Sequence, residues 1–125
     1  MKKTIFFMLS LISTGIIAAY PNVQIENLTA YNVVVTVDYT GCRKDNNVTI
    51  APGESSNIYR GACLLSEITG EVLEEQEGGR HTAGRRDIER KTIRPYSSSG
   101  TSYSHYIISG PDRNGEYKCT RDTEA

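Results

Sequence analysis

The segment that most restricts the fold is Tyr31–Tyr39, which reads YNVVVTVDY. β-Branched and aromatic residues dominate it, and a row of β-branched residues disfavours a helix because χ1 freedom is lost against the preceding turn. In a strand, alternate side chains point to opposite faces. One face then carries four apolar residues, Val33, Val35, Val37 and Tyr39. The pattern therefore predicts a half-buried strand.

Further short runs of the same kind follow at regular intervals, separated by turn-forming residues. They are Val23–Glu26, Val48–Ala51, Ser55–Arg60, Cys63–Leu73, Asp87–Tyr96, Tyr103–Ile108 and Glu116–Arg121. Pro52-Gly53 predicts a tight turn with a positive φ at the glycine, and Asn114-Gly115 is a strong hairpin signal. We also interpret Thr40–Asn47, which contains Gly41 and the Asp45-Asn46-Asn47 cluster, as a polar turn, and Ser97–Ser102 as a flexible linker, on composition alone. The prediction is an all-β fold, a small antiparallel sandwich or barrel of about seven or eight strands.

The first 19 residues have the pattern of a cleaved secretory signal. Lys2 and Lys3 precede an apolar run, Ile5–Ala19, that in helical form is too short to cross a bilayer. Ala18 and Ala19 are small, so we place cleavage after Ala19, and the short lysine-led start is typical of bacterial export. Residues 20–125 then form a single β domain, secreted or periplasmic, without a transmembrane anchor.

The 106 residues after this signal contain three cysteines, Cys42, Cys63 and Cys119. Export leads to an oxidising compartment, where paired cysteines form disulfides. We predict Cys42–Cys63, because the strand–turn–strand segment between them can bring the two together. Cys119 is interpreted as a buried thiol; the alternatives are an intermolecular disulfide in a homodimer, or pairing with one of the other two. No Cys-x-x-Cys or His-x-x-x-His spacing predicts a metal site, and no cofactor is expected.

Charge in the same region is 12 basic against 15 acidic residues, which excludes a strongly basic nucleic-acid binder. Five glutamates between Glu67 and Glu77 precede six basic residues between Arg80 and Arg94. We expect an exposed, flexible charged loop at residues 76–86. Neutralisation of one arm by the other across a hairpin is the favoured explanation of the pattern.

The candidate binding residues combine this basic cluster with the tyrosines that follow it. Tyrosine offers a large, semi-rigid contact area with a polar tip, which suits recognition surfaces. The alternative is that the tyrosines fill a core that lacks Phe and Trp. The residues we expect to contact a partner are Arg80, Arg85, Arg86, Tyr96, Tyr103 and Tyr106.

The sequence contains little that supports a catalytic function. Only His81 and His105 could act as the base of a Ser–His–Asp triad, and no Gly-x-Ser-x-Gly elbow occurs. Ser104 neighbours His105, but adjacent strand residues point to opposite faces. The sequence therefore favours an exported, non-enzymatic protein that binds a protein or carbohydrate partner. A small secreted hydrolase or toxin, and a subunit of an envelope assembly, remain as alternatives.

Overall fold

The computed structural model describes residues 19–76 and 87–124, and within these ranges the chain forms nine strands and one short 3-10 helix. The predicted signal, apart from Ala19, and residues 77–86 of the predicted loop lie outside the described residues. The strands are β1 (Val23–Asn27), β2 (Asn32–Thr40), β3 (Asp45–Ile50), β4 (Ser55–Ile58), β5 (Leu64–Gln76), β6 (Asp87–Arg94), β7 (Tyr96–Thr101), β8 (His105–Ser109) and β9 (Tyr117–Arg121). The 3-10 helix covers Asp122–Glu124. No helix in these ranges has the length and apolarity to span a membrane.

The strands form one sheet that curls almost into a closed barrel, in the order β3-β2-β5-β6-β9-β8-β1-β4. The long strand β5 pairs with β2 along one edge, and with β6 and then β7 along the other. The break between β6 and β7 falls at Pro95, which has no N–H to donate. The all-β prediction is confirmed. Two pairings, β1 with β8 and β6 with β9, are nevertheless parallel, which the local patterns did not indicate.

The core lies inside this curled sheet, and the alternation in β2 supplies one wall of it. Val33, Val35 and Val37 are fully buried, as the period-two pattern predicted. Ile25 of β1 and Ile108 of β8 belong to the same cluster from the opposite wall. Burial of such side chains from both walls is the main stabilising contribution in a fold of this kind.

A group of hydrogen-bonded polar side chains, centred on Asn27, lies at one end of the core. Asn27, fully buried, donates from Nδ2 to the carbonyl oxygens of Tyr31 (2.7 Å) and Ile50 (2.9 Å). Its Oδ1 accepts from the backbone N–H and the hydroxyl of Thr29. Because every polar atom of the Asn27 side chain is bonded, its burial fixes the β1–β2 connection against β3.

The predicted disulfide is present. Cys42 and Cys63 are joined at the point where the β2–β5 pair ends, two residues after Thr40 and immediately before Leu64. The bond closes the base of the excursion that contains β3 and β4. Cys119 is a free, buried thiol, and burial raises its pKa to about 12.

Two sequence interpretations are wrong in detail. Residues 97–101, taken as linker, belong to strand β7, because β5 offers a free edge and Ser98 Oγ donates to the Leu65 carbonyl oxygen at 2.8 Å. Of the predicted turn Thr40–Asn47, residues 41–44 do connect two strands, but the Asp45-Asn46-Asn47 segment lies in β3. There the Tyr39 hydroxyl donates to Asp45 at 2.7 Å. The register of β3 against β2 shifts between Val48 and Asp45, and Asn47 accommodates this shift with a φ of 55°. The positive φ predicted at Gly53 is confirmed at 77°.

Candidate binding surface

Three stretches of chain that are distant in sequence meet at one end of the barrel, which we call the tyrosine end. They are residues 20–24, 59–63 and 101–105. The Tyr20 N–H donates to the Gly61 carbonyl oxygen (2.8 Å), and the Gln24 N–H donates to that of Ser104 (2.7 Å). The register of β5 with β7 places Thr101 beside Leu65, next to the disulfide.

Three of the predicted contact residues, Tyr96, Tyr103 and Tyr106, form one aromatic cluster here. Ring centroids of Tyr96 and Tyr106 are 4.9 Å apart, and those of Tyr103 and Tyr106 are 5.5 Å apart with an edge-on orientation. Tyr106 is only 1% exposed and donates its hydroxyl to the Tyr103 carbonyl oxygen at 3.1 Å. Tyr106 therefore supports the cluster from inside the core, while Tyr96 and Tyr103 reach the surface half-buried.

An arginine that the sequence did not single out holds these rings in place. Arg121 lies with its guanidinium carbon 4.5 Å from the Tyr103 ring centroid and 5.9 Å from that of Tyr96. Its Nε donates to the Tyr96 hydroxyl (3.2 Å) and its Nη2 to Thr101 Oγ1 (3.3 Å). Cation–π contacts of this geometry are attractive, and the planar fork fixes their orientation.

Arg121 occupies this position because two strands separate. β6 pairs with β9 only through Ile93 and Arg94, after which the chain turns at Pro95 and β7 follows β5 instead. The side chain of Arg121 extends from β9 to β7 across the resulting divergence. The hydroxyl of Tyr103 donates to Asp122, and this bond raises the pKa of Tyr103. Burial raises the pKa of Tyr106, so both phenols stay neutral at physiological pH.

Tyr59 adds a ring to this end that is more exposed than those of Tyr96 and Tyr103. It is 75% exposed, and its ring lies over Gly61, where an added Cβ would meet the Tyr59 hydroxyl at 3.3 Å. The sequence contained a signal for it. Alternation along Ser55–Arg60 places Ile58 inward and therefore Tyr59 outward, and the structure shows this arrangement.

Arg60, the next residue, is buried although it is charged. It is 3% exposed, and its guanidinium donates to the carbonyl oxygens of Pro21 (3.0 Å), Thr101 (3.2 Å) and Ser102. Its guanidinium carbon is also 5.4 Å from the Tyr20 ring centroid. Alternation with Ile58 places Arg60 on the inward face, but nothing in the sequence indicates that carbonyl oxygens satisfy it there.

The basic half of the predicted surface belongs to the segment that joins β5 to β6 in the sequence. Arg80, Arg85 and Arg86 are outside the described residues, and the described strands lead away from the tyrosine end. Gln76 pairs with Asp87 at one end of β5, whereas Leu65 pairs with Thr101 at the other. Eleven residues of strand separate these two positions by about 35 Å. The structure therefore brings Tyr96, Tyr103 and Tyr106 together, whereas Gln76 and Asp87, the described residues on either side of the basic segment, lie far from them.

The paired strands β5 and β6 carry charges of opposite sign, as expected if the acidic arm of the hairpin neutralises the basic arm. Arg90 of β6 pairs with Glu71 of β5 at 2.7 Å, and Lys91 lies 3.7 Å from Glu89 on its own strand. Both pairs are solvent-exposed, and such pairs contribute about 0–1 kcal/mol each. Only the Arg90–Glu71 pair joins the two strands, and its effect on stability is small.

The Ser–His neighbours differ from the sequence-based expectation. Ser104 precedes the first residue of β8, so the alternation does not apply to it, and its Oγ lies 3.2 Å from His105 Nδ1. The pair is exposed to solvent. His81 lies outside the described residues. Among residues 19–76 and 87–124, no cluster of three or more His, Cys, Asp or Glu side chains is placed to hold a metal.

Comparison with known proteins adds no family to these observations: no protein-family model matches the chain, and no curated protein matches it significantly.

Proposed function

We propose that this chain is an exported, disulfide-bonded β domain that acts outside the cytoplasm by binding another protein, without catalysis, through its tyrosine end. The lysine-led apolar start supports export, and a disulfide between Cys42 and Cys63 suits an oxidising compartment. The binding role is argued from the surface itself.

The observation that carries the proposal is the fixed arrangement of Tyr96 and Tyr103. Stacking on Arg121 and support from Tyr106 hold both rings before any partner arrives. A pre-ordered side chain avoids the entropy loss of about 0.5–1.5 kcal/mol that ordering it on binding would cost. Tyrosine is also enriched at the residues that dominate protein interfaces.

The surroundings of these rings favour a protein partner over a charged polymer. The segment Tyr96–Tyr106 reads YSSSGTSYSHY, and Ser97 and Ser99 of β7 are exposed beside the cluster. Tyrosines interleaved with serine and glycine are the composition of antibody contact loops, where rigid rings give area and small polar residues give adaptable hydrogen bonds. The same chemistry can stack on sugar rings, so a carbohydrate partner is an outcome that the test has to separate.

The test is site-specific photo-crosslinking in living cells of the native host. The photoreactive amino acid p-benzoylphenylalanine replaces Tyr103 or Tyr59 in two separate variants. A matched control replaces Asn114, which is exposed at the opposite end of the sheet. We expect a discrete protein adduct from positions 103 and 59 and none from 114.

Equal adducts from all three positions, or adducts from none, would overturn the proposed surface. The same would follow if no adduct formed while the purified wild-type protein, but not Tyr103→Ala, was retained on immobilised cell-wall glycan, because the partner would then be a carbohydrate. Intact mass of the protein from each cell fraction tests export in parallel. Export predicts loss of residues 1–19 and one intact disulfide.

A further inference from the structure

Arg60 is buried at the centre of the tyrosine end, and its surroundings contain acceptors but no counter-charge. Three carbonyl oxygens take its N–H groups, and none of the ion pairs within residues 19–76 and 87–124 includes it. Three tyrosines, Tyr20, Tyr39 and Tyr106, make up its remaining electrostatic surroundings, and burial lowers the pKa of its guanidinium. Burying a charge this way is costly unless hydrogen bonds compensate it.

The three carbonyl oxygens belong to two segments that are distant from Arg60 in the chain. Pro21 precedes the first strand, and Thr101 and Ser102 lie where β7 ends and the chain passes to β8. Arg60 itself opens the turn that leads to the disulfide, and its carbonyl oxygen accepts from the Cys63 N–H at 3.0 Å. One planar fork therefore fixes the amino-terminal segment, the β4–β5 turn and the β7–β8 connection relative to one another.

Each of these three segments carries one tyrosine of the tyrosine end. Tyr20 lies against the guanidinium, Tyr59 precedes it in the chain, and Tyr103 follows Ser102. Besides the guanidinium, the backbone of the β7–β8 connection is held by Gln24 N–H to the Ser104 carbonyl oxygen and Tyr103 N–H to Thr101 Oγ1 (3.1 Å), and its side chains contact Arg121, Asp122 and Tyr106. Other contacts hold each ring locally, but Arg60 is the side chain that bonds to the other two of these segments from within the third.

We propose that Arg60 is a positioning residue that sets Tyr20, Tyr59 and Tyr103 into one continuous contact surface for the partner protein. This inference rests on the function proposed above and extends its surface to Tyr20. Arg60 itself does not touch the partner, because it is buried. Its effect on binding is transmitted through the carbonyl oxygens that it holds.

The test compares Arg60→Lys with a matched control, Ile50→Val. Lysine keeps the charge and the apolar stem, but its single ammonium group cannot reach three carbonyl oxygens that match a planar fork. Ile50 is buried beside Val33, in the strand pair that leads away from this end, and Ile50→Val lowers general stability without touching the three segments.

Amide hydrogen exchange of the oxidised wild-type and variant proteins is the first readout. In Arg60→Lys we expect at least tenfold faster exchange at Gln24 and Tyr103, with the β2–β5 amides near Val35 and Gly70 unchanged. In Ile50→Val, exchange at Gln24 and Tyr103 should stay within about twofold of the wild type. Unchanged exchange in Arg60→Lys at those two amides would overturn the inference.

Crosslinking from position 59 in cells is the second readout, because a residue with only a general structural role would not separate the two variants. We expect the adduct per folded protein to fall at least fivefold in Arg60→Lys and to persist in Ile50→Val. An equal fall in both variants, or in neither, refutes the positioning role alone. If the wild-type background gives no adduct, the proposed function fails and the contact surface fails with it.

Discussion

Removal of the Cys42–Cys63 disulfide is the perturbation whose cost follows most directly from the structure. The bond closes a segment with a sequence separation of 21. In the loop-entropy treatment, opening a loop of that size costs about 3 kcal/mol, through added freedom of the unfolded chain. The folded state loses little, because β2 and β5 pair directly up to Thr40 and Leu64 without the bond.

A cost of this size is large for a domain with a modest core. Domains of about 100 residues have a free energy of unfolding of about 5–15 kcal/mol. With a urea m-value of about 1.5 kcal/mol/M, a loss of 3 kcal/mol lowers the unfolding midpoint by about 2 M. The measurement is urea unfolding of Cys42→Ser/Cys63→Ser against the oxidised wild type, followed by far-UV circular dichroism, with Cys119 present in both.

Reduced wild-type protein is the matched control, because it loses the same constraint without a change of side chain. We expect its midpoint to agree with that of the double variant to within the error of the fit. A loss below about 1 kcal/mol in both samples would refute the loop-entropy argument. A double variant much less stable than the reduced wild type would instead show that the side chains, and not the closed loop, carry the effect.

Three further predictions concern the interior. Gly70→Ala should lower the free energy of unfolding by about 2 kcal/mol or more in urea titration, because an added Cβ would lie 2.5 Å from the Val34 carbonyl oxygen, a backbone atom that cannot easily move. Asn27→Ala should cost about 2–3 kcal/mol by thermal unfolding, because it leaves the buried carbonyl oxygen of Ile50 without its donor; a cost below 0.5 kcal/mol would contradict this. Cys119 should resist iodoacetamide at pH 8 in the native protein and react fully in urea, because its pKa is about 12. Since that folded-state pKa lies above the unfolded value, the contribution of Cys119 to stability is complete below about pH 8.5 and declines as pH rises towards 12. The decline should be smaller in Cys119→Ala, where buried tyrosines such as Tyr106, whose pKa is also raised, still contribute.

Regular alternation allowed much of the fold to be predicted from the sequence. Where one face of a strand packs on the core, as with Val33, Val35 and Val37, period two identifies both the strand and its buried side. The Cys42–Cys63 disulfide could be predicted for a related reason, because a strand–turn–strand segment brings its two ends together. These features depend only on residues close to each other in the chain.

The local sequence could not predict which distant segment each strand pairs with or contacts. Residues 97–101 have the composition of a linker, yet they form β7 because β5 is long enough to pair with two strands in succession. Tyr103 and Tyr106 share a cluster although one is at the surface and one is in the core, and Arg121 joins it from β9. Such contacts between distant segments override local propensity.

The parallel pairing of β1 with β8 has a consequence for how the molecule can be attached to anything else. Gln24 lies beside His105, and Arg121 lies beside Tyr106, so the chain enters its first strand and leaves its last strand at the same end of the sheet. A surface, a bead or a fluorescent protein joined directly before β1 or directly after β9 would therefore crowd Tyr103. The Pro111–Gly115 turn, exposed at the far end of β8 and β9, is the attachment point that would leave the tyrosine end facing outward.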